Sequence, residues 1–305
     1  MNYFDLHCDT LTELFDRGES LSDTSCHISQ KSLSSFEKYG QVFAVFSKIG
    51  LSDSGCYERF PSCVKSFKEK NGADFCLSGK DIKKKINSAE SAYVLSVEDA
   101  RLLDADISRV KKLCDAGVRI VTPLWKGSTC IGGSFDTDDG LTDFGRVAVN
   151  EFIKLGALID VSHASRKSAD EIMTIAESYC RPVLATHSNS YTIYPHRRNL
   201  TDREAVRVAK SGGIVGISLA PQHLCDGAAG ISDILRHIDH YVSLIGDKCV
   251  AFGCDFDGID KTPDGVNGQK DMHAVAEEMA RRGYTDGTIN KIFYENAYSF
   301  FTEKL

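Results

Sequence analysis

The run GALIDVSHAS, Gly156 to Ser165, carries apolar residues on both of its faces and ends in a polar cluster that holds His163. A strand with one wet face would alternate apolar and polar side chains; a run apolar on both faces belongs in the middle of a parallel sheet covered by helices. Seven further runs have the same character: YFDLHCDT (Tyr3 to Thr10), QVFAVFSK (Gln41 to Lys48), AYVLSVEDA (Ala92 to Ala100), VRIVTPLW (Val118 to Trp125), RPVLATHSNS (Arg181 to Ser190), GGIVGISLA (Gly212 to Ala220) and KCVAFGCDFDG (Lys248 to Gly258). Between them lie longer stretches with helical spacing, such as SRKSADEIMTIAESYC, TDREAVRVAKSGG and ISDILRHIDHYVSLIGD. Several open on Ser, Thr or Asp and several close on Gly, the residues that suit the two ends of a helix. Eight strand–helix units in 305 residues predict the α/β class and a (β/α)8 barrel of the TIM type. Extra helices are expected over residues 51–85 and after Lys270, and a single domain covering residues 1–305 is the simplest organisation. An open doubly wound sheet is the runner-up, but no glycine-rich phosphate-binding fingerprint follows any of the strands.

Barrel enzymes carry their chemistry where the strands end at the C-terminal face. Those ends hold His7 and Asp9, Glu98, Trp125, His163, His187 and Asp255. In HCD, strand alternation would put His7 and Asp9 on one face with Cys8 pointing away. Taken alone, HxD is a weak signal. An apolar strand that ends in an unpaired histidine or glutamate, however, buries a costly polar group unless a metal sits among such groups. His7, Asp9, Glu98, His163 and His187 make five ligands, too many for one tetrahedral zinc. Two ions roughly 3.5–4 Å apart, with Glu98 between them, fit the count. Asp5 and Asp160 lie deeper on their strands and are expected to hold neighbouring groups by hydrogen bonds rather than to ligate.

Composition narrows the remaining classes. The formal charge is −7 with no basic stripe, which speaks against a nucleic-acid partner. The one basic run, KDIKKK (Lys80 to Lys85), suits a solvated helix face. The eleven cysteines form no CxxC pair, so neither a thiolate zinc site nor a redox motif is indicated. No run is long enough to span a bilayer, no leader or lipid-anchor pattern stands at the termini, and a cytoplasmic protein without a membrane partner is expected.

The ordered set DLHCDT, VED, GALIDVSHAS, THSNS, HRRNLTD and GCDFDG resembles the renal (membrane) dipeptidase family of zinc metallopeptidases over nearly the whole chain. The resemblance implies a barrel of the metallo-dependent hydrolase kind with two zinc ions, and hydrolysis of dipeptides, including some with a D-residue at the C-terminal position. Homodimers are common in that family. Position by position, His7 and Asp9 match the ligands of one zinc, Glu98 the bridging carboxylate, and His163 and His187 the ligands of the other. Arg198 of HRRN matches the arginine that holds the substrate carboxylate, and Asp255 of CDFDG the acid that handles the proton on the departing amine. Asp99, Arg197 and Asp257 are the neighbours most easily confused with these residues. Trp125 departs from the mammalian pattern, which has a histidine there to steady the tetrahedral intermediate; an indole N–H donates one hydrogen bond and carries no charge. The expected mechanism is attack by a zinc-bridging hydroxide. Two other readings stay open: a binuclear-metal amidohydrolase acting on a cyclic amide, lactone or similar small molecule, and an inactive zinc- or peptide-binding relative.

Overall fold

The computed structural model describes all 305 residues. Eight parallel strands run β1 Tyr3–Cys8, β2 Tyr39–Phe46, β3 Ala92–Glu98, β4 Val118–Thr122, β5 Leu158–Asp160, β6 Val183–Leu184, β7 Val215–Ile217 and β8 Val250–Phe252. Their order is β6-β5-β4-β3-β2-β1-β8-β7, and the ring closes between β6 and β7 through Ala185, whose N–H donates to Ile214 O and whose carbonyl accepts from Gly216 N. This nearly closed (β/α)8 barrel is the architecture expected from the doubly apolar runs: every strand residue except Phe46 and Arg119 is buried.

The helices are α1 Thr10–Arg17, α2 Gln30–Leu33, α3 Asp53–Asn71, α4 Gly79–Asn87, α5 Ser108–Asp115, α6 Asp143–Lys154, α7 Arg166–Ser178, α8 Asp202–Lys210, α9 Ile231–Ile245, α10 Met272–Arg281, α11 Asp286–Asn290 and α12 Asn296–Lys304. Helices α3 and α4 fill the 51–85 stretch, and α10 to α12 follow Lys270, as expected. Their starts follow the sequence signals: Ser52, Ser78, Thr142, Ser165 and Thr201 each accept a backbone N–H at a helix N-terminus. The lysines of KDIKKK ride on α4, whose Ile82 and Ile86 turn inward.

Two apolar clusters flank the strands. The larger joins the barrel to most of its helices, and the smaller packs the α4 and α12 side against Phe4, Leu6 and Val42. Every cysteine is a free thiol, most of them buried as small apolar side chains. No helix is long and apolar enough to cross a membrane.

Candidate metal centre

Polar side chains gather where the strands end. Asp5, inside β1, accepts the N–H of His7 at 2.9 Å, the N–H of Cys254 at 3.2 Å and the Tyr3 hydroxyl at 2.6 Å. It ties β1 to the segment after β8, where Asp255 N donates to His7 O. Asp160 does the same between β5 and β6. It accepts the N–H groups of Ser162 and Thr186 at 2.9 Å each, and the hydroxyls of Thr122 and Thr186. Both aspartates are therefore braces, as their depth on the strands suggested.

His7 and Asp9 converge, but not by strand alternation. β1 shifts register after Asp5, and Asp9 already leads into α1 with φ −98° and ψ 7°. The turn into the helix brings Asp9 Oδ2 to 3.8 Å from His7 Nε2. The other ends behave similarly: His163, Asp255, Asp257 and Asp99 all adopt the left-handed conformation, φ 63° to 66°. Non-glycine residues reach that region only when their surroundings hold them there. Here it turns His163, Asp255 and Asp257 into the lining of the barrel mouth, while Asp99 turns to Arg101.

Glu98, 2% exposed, lies at the centre. Its Oε1 is 3.0 Å from His163 Nε2 and 3.3 Å from His187 Nε2, while Oε2 is 3.5 Å from His7 Nε2. Asp255 Oδ1 is 3.7 Å from His7 Nε2 on the same side. Oε1 thus faces His163 and His187 while Oε2 faces His7, near which Asp9 and Asp255 lie; the His7 ring also stacks on His187 with centroids 3.8 Å apart.

The hydrogen bonds fix the protons. Thr186 donates its hydroxyl to Asp160, so its oxygen accepts from His187 Nδ1, 2.8 Å away. His163 Nδ1 faces the Trp125 carbonyl at 3.2 Å and must donate. Both imidazoles therefore turn Nε2 lone pairs inward, 2.9 Å apart and beside Glu98 Oε1. Three acceptors this close repel unless a cation lies between them. Ligands at 2.0–2.1 Å on a tetrahedral zinc stand about 3.4 Å apart, close to the spacing found. Across Glu98, His7 Nε2 and Asp9 Oδ1 are buried without any hydrogen-bond partner. A methyl on Gly258 would sit 2.2 Å from Asp9 Oδ2 and 2.4 Å from Asp255 Oδ1, so glycine keeps that space clear. This donor set fits a metal centre.

The electrostatics agree with a site short of positive charge. Burial pushes Asp9 up to about 6, with Glu98 adding to the shift. Burial raises Asp255 well above the carboxylate range, and Asp9 and Glu98 reinforce it against His7. At His7 burial opposes the proton, but Glu98 and Asp9 outweigh it and raise the imidazole. Burial lowers His163 to about 4 and holds His187 well below the usual range, leaving both neutral.

A cavity of about 520 Å³ opens over this centre, with Asp9, Glu98, Trp125, His163 and Asp255 in its lining. Arg198 is not in that lining. It lies buried against the next strand end, donating from Nη1 to Ser188 Oγ and from Nη2 to His187 O, with Nε unpartnered. Arg197 is exposed and pairs with Asp138, and Asp257 is occupied by Thr10 and His27, so neither replaces its neighbour. Lys126 is exposed and does not reach the cavity. Sequence reasoning missed the cavity wall after β2, formed by Phe46, Lys48 and Ile49. The same strand-end rule applied to QVFAVFSK would have found it.

Comparison with known proteins accords with this geometry. The family model described as membrane dipeptidase, peptidase family M19, matches residues 1–303. A Klebsiella pneumoniae protein, described only as uncharacterised and lying in the pqqA 5′ region, is 31% identical over 234 residues, 72% of this chain and 85% of its own. Mouse dipeptidase 3 is 27% identical over 71% of this chain, which spans 45% of that protein's length. Among solved structures, a Rhodobacter sphaeroides metallopeptidase liganded with a phosphinate mimic of L-Ala-D-Ala superposes with a TM-score of 0.87 at 24% identity, covering 100% of this chain and 99% of its own. The M19 metallopeptidase called dipeptidase AC gives 0.87 at 25% identity, covering 100% and 98%. With residues 1–303 matched and the barrel shared, the chain belongs to the membrane dipeptidase family, M19.

Proposed function

We propose that the protein is a binuclear zinc dipeptidase, and the observation that carries this reading is the place of Glu98, whose Oε1 faces His163 and His187 while its Oε2 faces His7, with Asp9 beside His7. His7 and Asp9 would hold one ion, His163 and His187 the other, with Glu98 shared. The nitrogen and oxygen donor set favours zinc over magnesium or calcium. Bound here, two zinc ions would supply Lewis acidity and make a water acidic enough to ionise near neutral pH.

The chain's own residues do the rest. Asp255, whose Oδ1 lies 3.7 Å from His7 Nε2 in the cavity lining, would take the proton from the water and pass it to the departing amine. Arg198 is assigned to the substrate's terminal carboxylate by the family resemblance; here it is buried outside the cavity lining with its Nε–H unpartnered, so that role rests on the resemblance. Trp125 keeps His163 in the ligating tautomer through its carbonyl and lines the cavity with its indole, whose N–H serves as a neutral donor toward the substrate oxygen. The Rhodobacter structure with a dipeptide mimic supports dipeptides, L,D pairs among them, as the class to try first.

The test is hydrolysis of L,L and L,D dipeptides by the purified protein, metal-stripped and then restored with zinc, beside Asp255→Asn. Activity should vanish on stripping, return with zinc, and fall about 10²-fold or more in kcat for the variant. A zinc-loaded protein that turns over no dipeptide would overturn this reading.

A further inference from the structure

One side of the cavity mouth is formed by residues 47–52, the connection from β2 to α3, which has no regular secondary structure. Phe46, Ile49, Trp125 and Ile259 are the four apolar side chains of the cavity, and Trp125 packs edge-on to Phe46 with ring centroids 4.9 Å apart. Ile49 is 68% exposed, so a large aliphatic side chain stands at the entrance uncovered. Lys48 is drawn back to Asp16 at 3.1 Å, while Glu13, Asp257 and Asp260 add negative charge to the lining.

An irregular segment keeps one shape only when its backbone polar groups are fixed from outside. Arg101, in the short helical turn after β3, does this with a single guanidinium. Its Nη2 donates to Ser47 O at 3.2 Å and Lys48 O at 2.9 Å, Nη1 to Leu51 O at 3.1 Å and Asp53 Oδ1 at 2.6 Å, and Nε to Asp99 Oδ2 at 3.0 Å. Ser47 adds two bonds to the same strand end, from N to Glu98 O at 3.0 Å and from Oγ to Asp99 O at 2.6 Å. The apolar entrance is thereby fastened to the residue at the middle of the metal centre.

We propose that residues 47–52, held by the positioning residue Arg101, form the specificity wall of this site. The wall receives an apolar substrate side chain against Phe46, Ile49 and Trp125, and the surrounding carboxylates disfavour an acidic one. This assignment rests on the dipeptidase reading. The planar fork of Arg101 matters because five acceptors in fixed directions cannot be served by a lysine ammonium on a flexible stem.

The experiment measures kcat and KM of the zinc-loaded full chain on dipeptides of alanine in which one residue, at either position, is replaced by leucine or glutamate. The proteins are the wild type, Ile49→Ser and Arg101→Lys, with zinc content determined for each. The wild type should prefer leucine over alanine and alanine over glutamate. Ile49→Ser, at an exposed position that leaves folding intact, should lower the leucine-to-alanine ratio of kcat/KM roughly tenfold, through KM. Arg101→Lys should show the same loss of ratio with zinc content unchanged. An unchanged ratio in Ile49→Ser, or a wild-type preference for glutamate, overturns the wall. Equal loss on all substrates together with zinc in Arg101→Lys overturns the positioning role. Turnover of dipeptides without a leucine preference sinks the wall alone, whereas no turnover of any dipeptide removes the dipeptidase reading and the wall with it.

Discussion

The chain Asp160, Thr186, His187 shows how much of the site depends on single protons. Asp160 is buried with both oxygens occupied, and it leaves the Thr186 hydroxyl only one role toward His187, that of acceptor. Replacing Thr186 by Val keeps the shape but removes the acceptor. His187 then either buries an unpaired Nδ1–H, which costs about 1–3 kcal/mol, or shifts its proton to Nε2 and loses the ligating lone pair. Thr186→Val should therefore weaken zinc binding about 10- to 100-fold, read by competition with a chromogenic chelator. Unaltered zinc affinity would show that the hydroxyl does not set the tautomer.

At the scale of elements, the strands were legible because burial on both faces leaves a plain apolar record, and the helices because their caps are chemical. The ends of the strands were only half legible. That His163 and Asp255 would reach the centre follows from their place after a strand; that each does so from a left-handed backbone does not, since residues other than glycine reach that conformation only under tertiary constraint. Arg101 was invisible for a related reason: its value lies in carbonyls 50 to 54 residues away in sequence, which no local pattern records. His237 on α9 is a buried strut. Its Nδ1 accepts from Ser190 N and its Nε2–H donates to Leu224 O, each at 3.0 Å. Burial pushes it down to about 4. An unfolded chain takes up that proton near pH 6.5, so His237 contributes stability above 6.5 that is lost as pH falls toward 4, about 2 kcal/mol of it between pH 7 and 5. In His237→Gln, the drop in urea-unfolding stability between those two pH values should be smaller by that amount; an identical drop would mean that the imidazole is already charged in the fold.

For the whole molecule, the barrel is a frame that holds like charges together. Asp9 and Glu98 are buried close to the half-buried Asp255, and Asp5 and Asp160 are buried beneath the same rim. Without cations the fold must retain these carboxylates against their mutual repulsion, as the raised Asp9 and Asp255 show. Metal binding should consequently stabilise the entire domain and not merely the mouth. At free zinc one hundred times its dissociation constant, each site adds about 2.7 kcal/mol, which for a chain of this size is roughly 5–10 °C in Tm for the pair. Protons compete for the same ligands, His7 and Asp9 among them, and both are raised in the metal-free fold, so this increment should shrink as pH falls. Calorimetry of stripped and zinc-restored protein at pH 7.5 and 5.5, with Glu98→Gln beside it, measures the effect. The wild type should gain stability with zinc at the higher pH and much less at the lower, while the variant, lacking the shared carboxylate, should gain at most half. A zinc increment equal in wild type and variant would place the metal somewhere other than at Glu98.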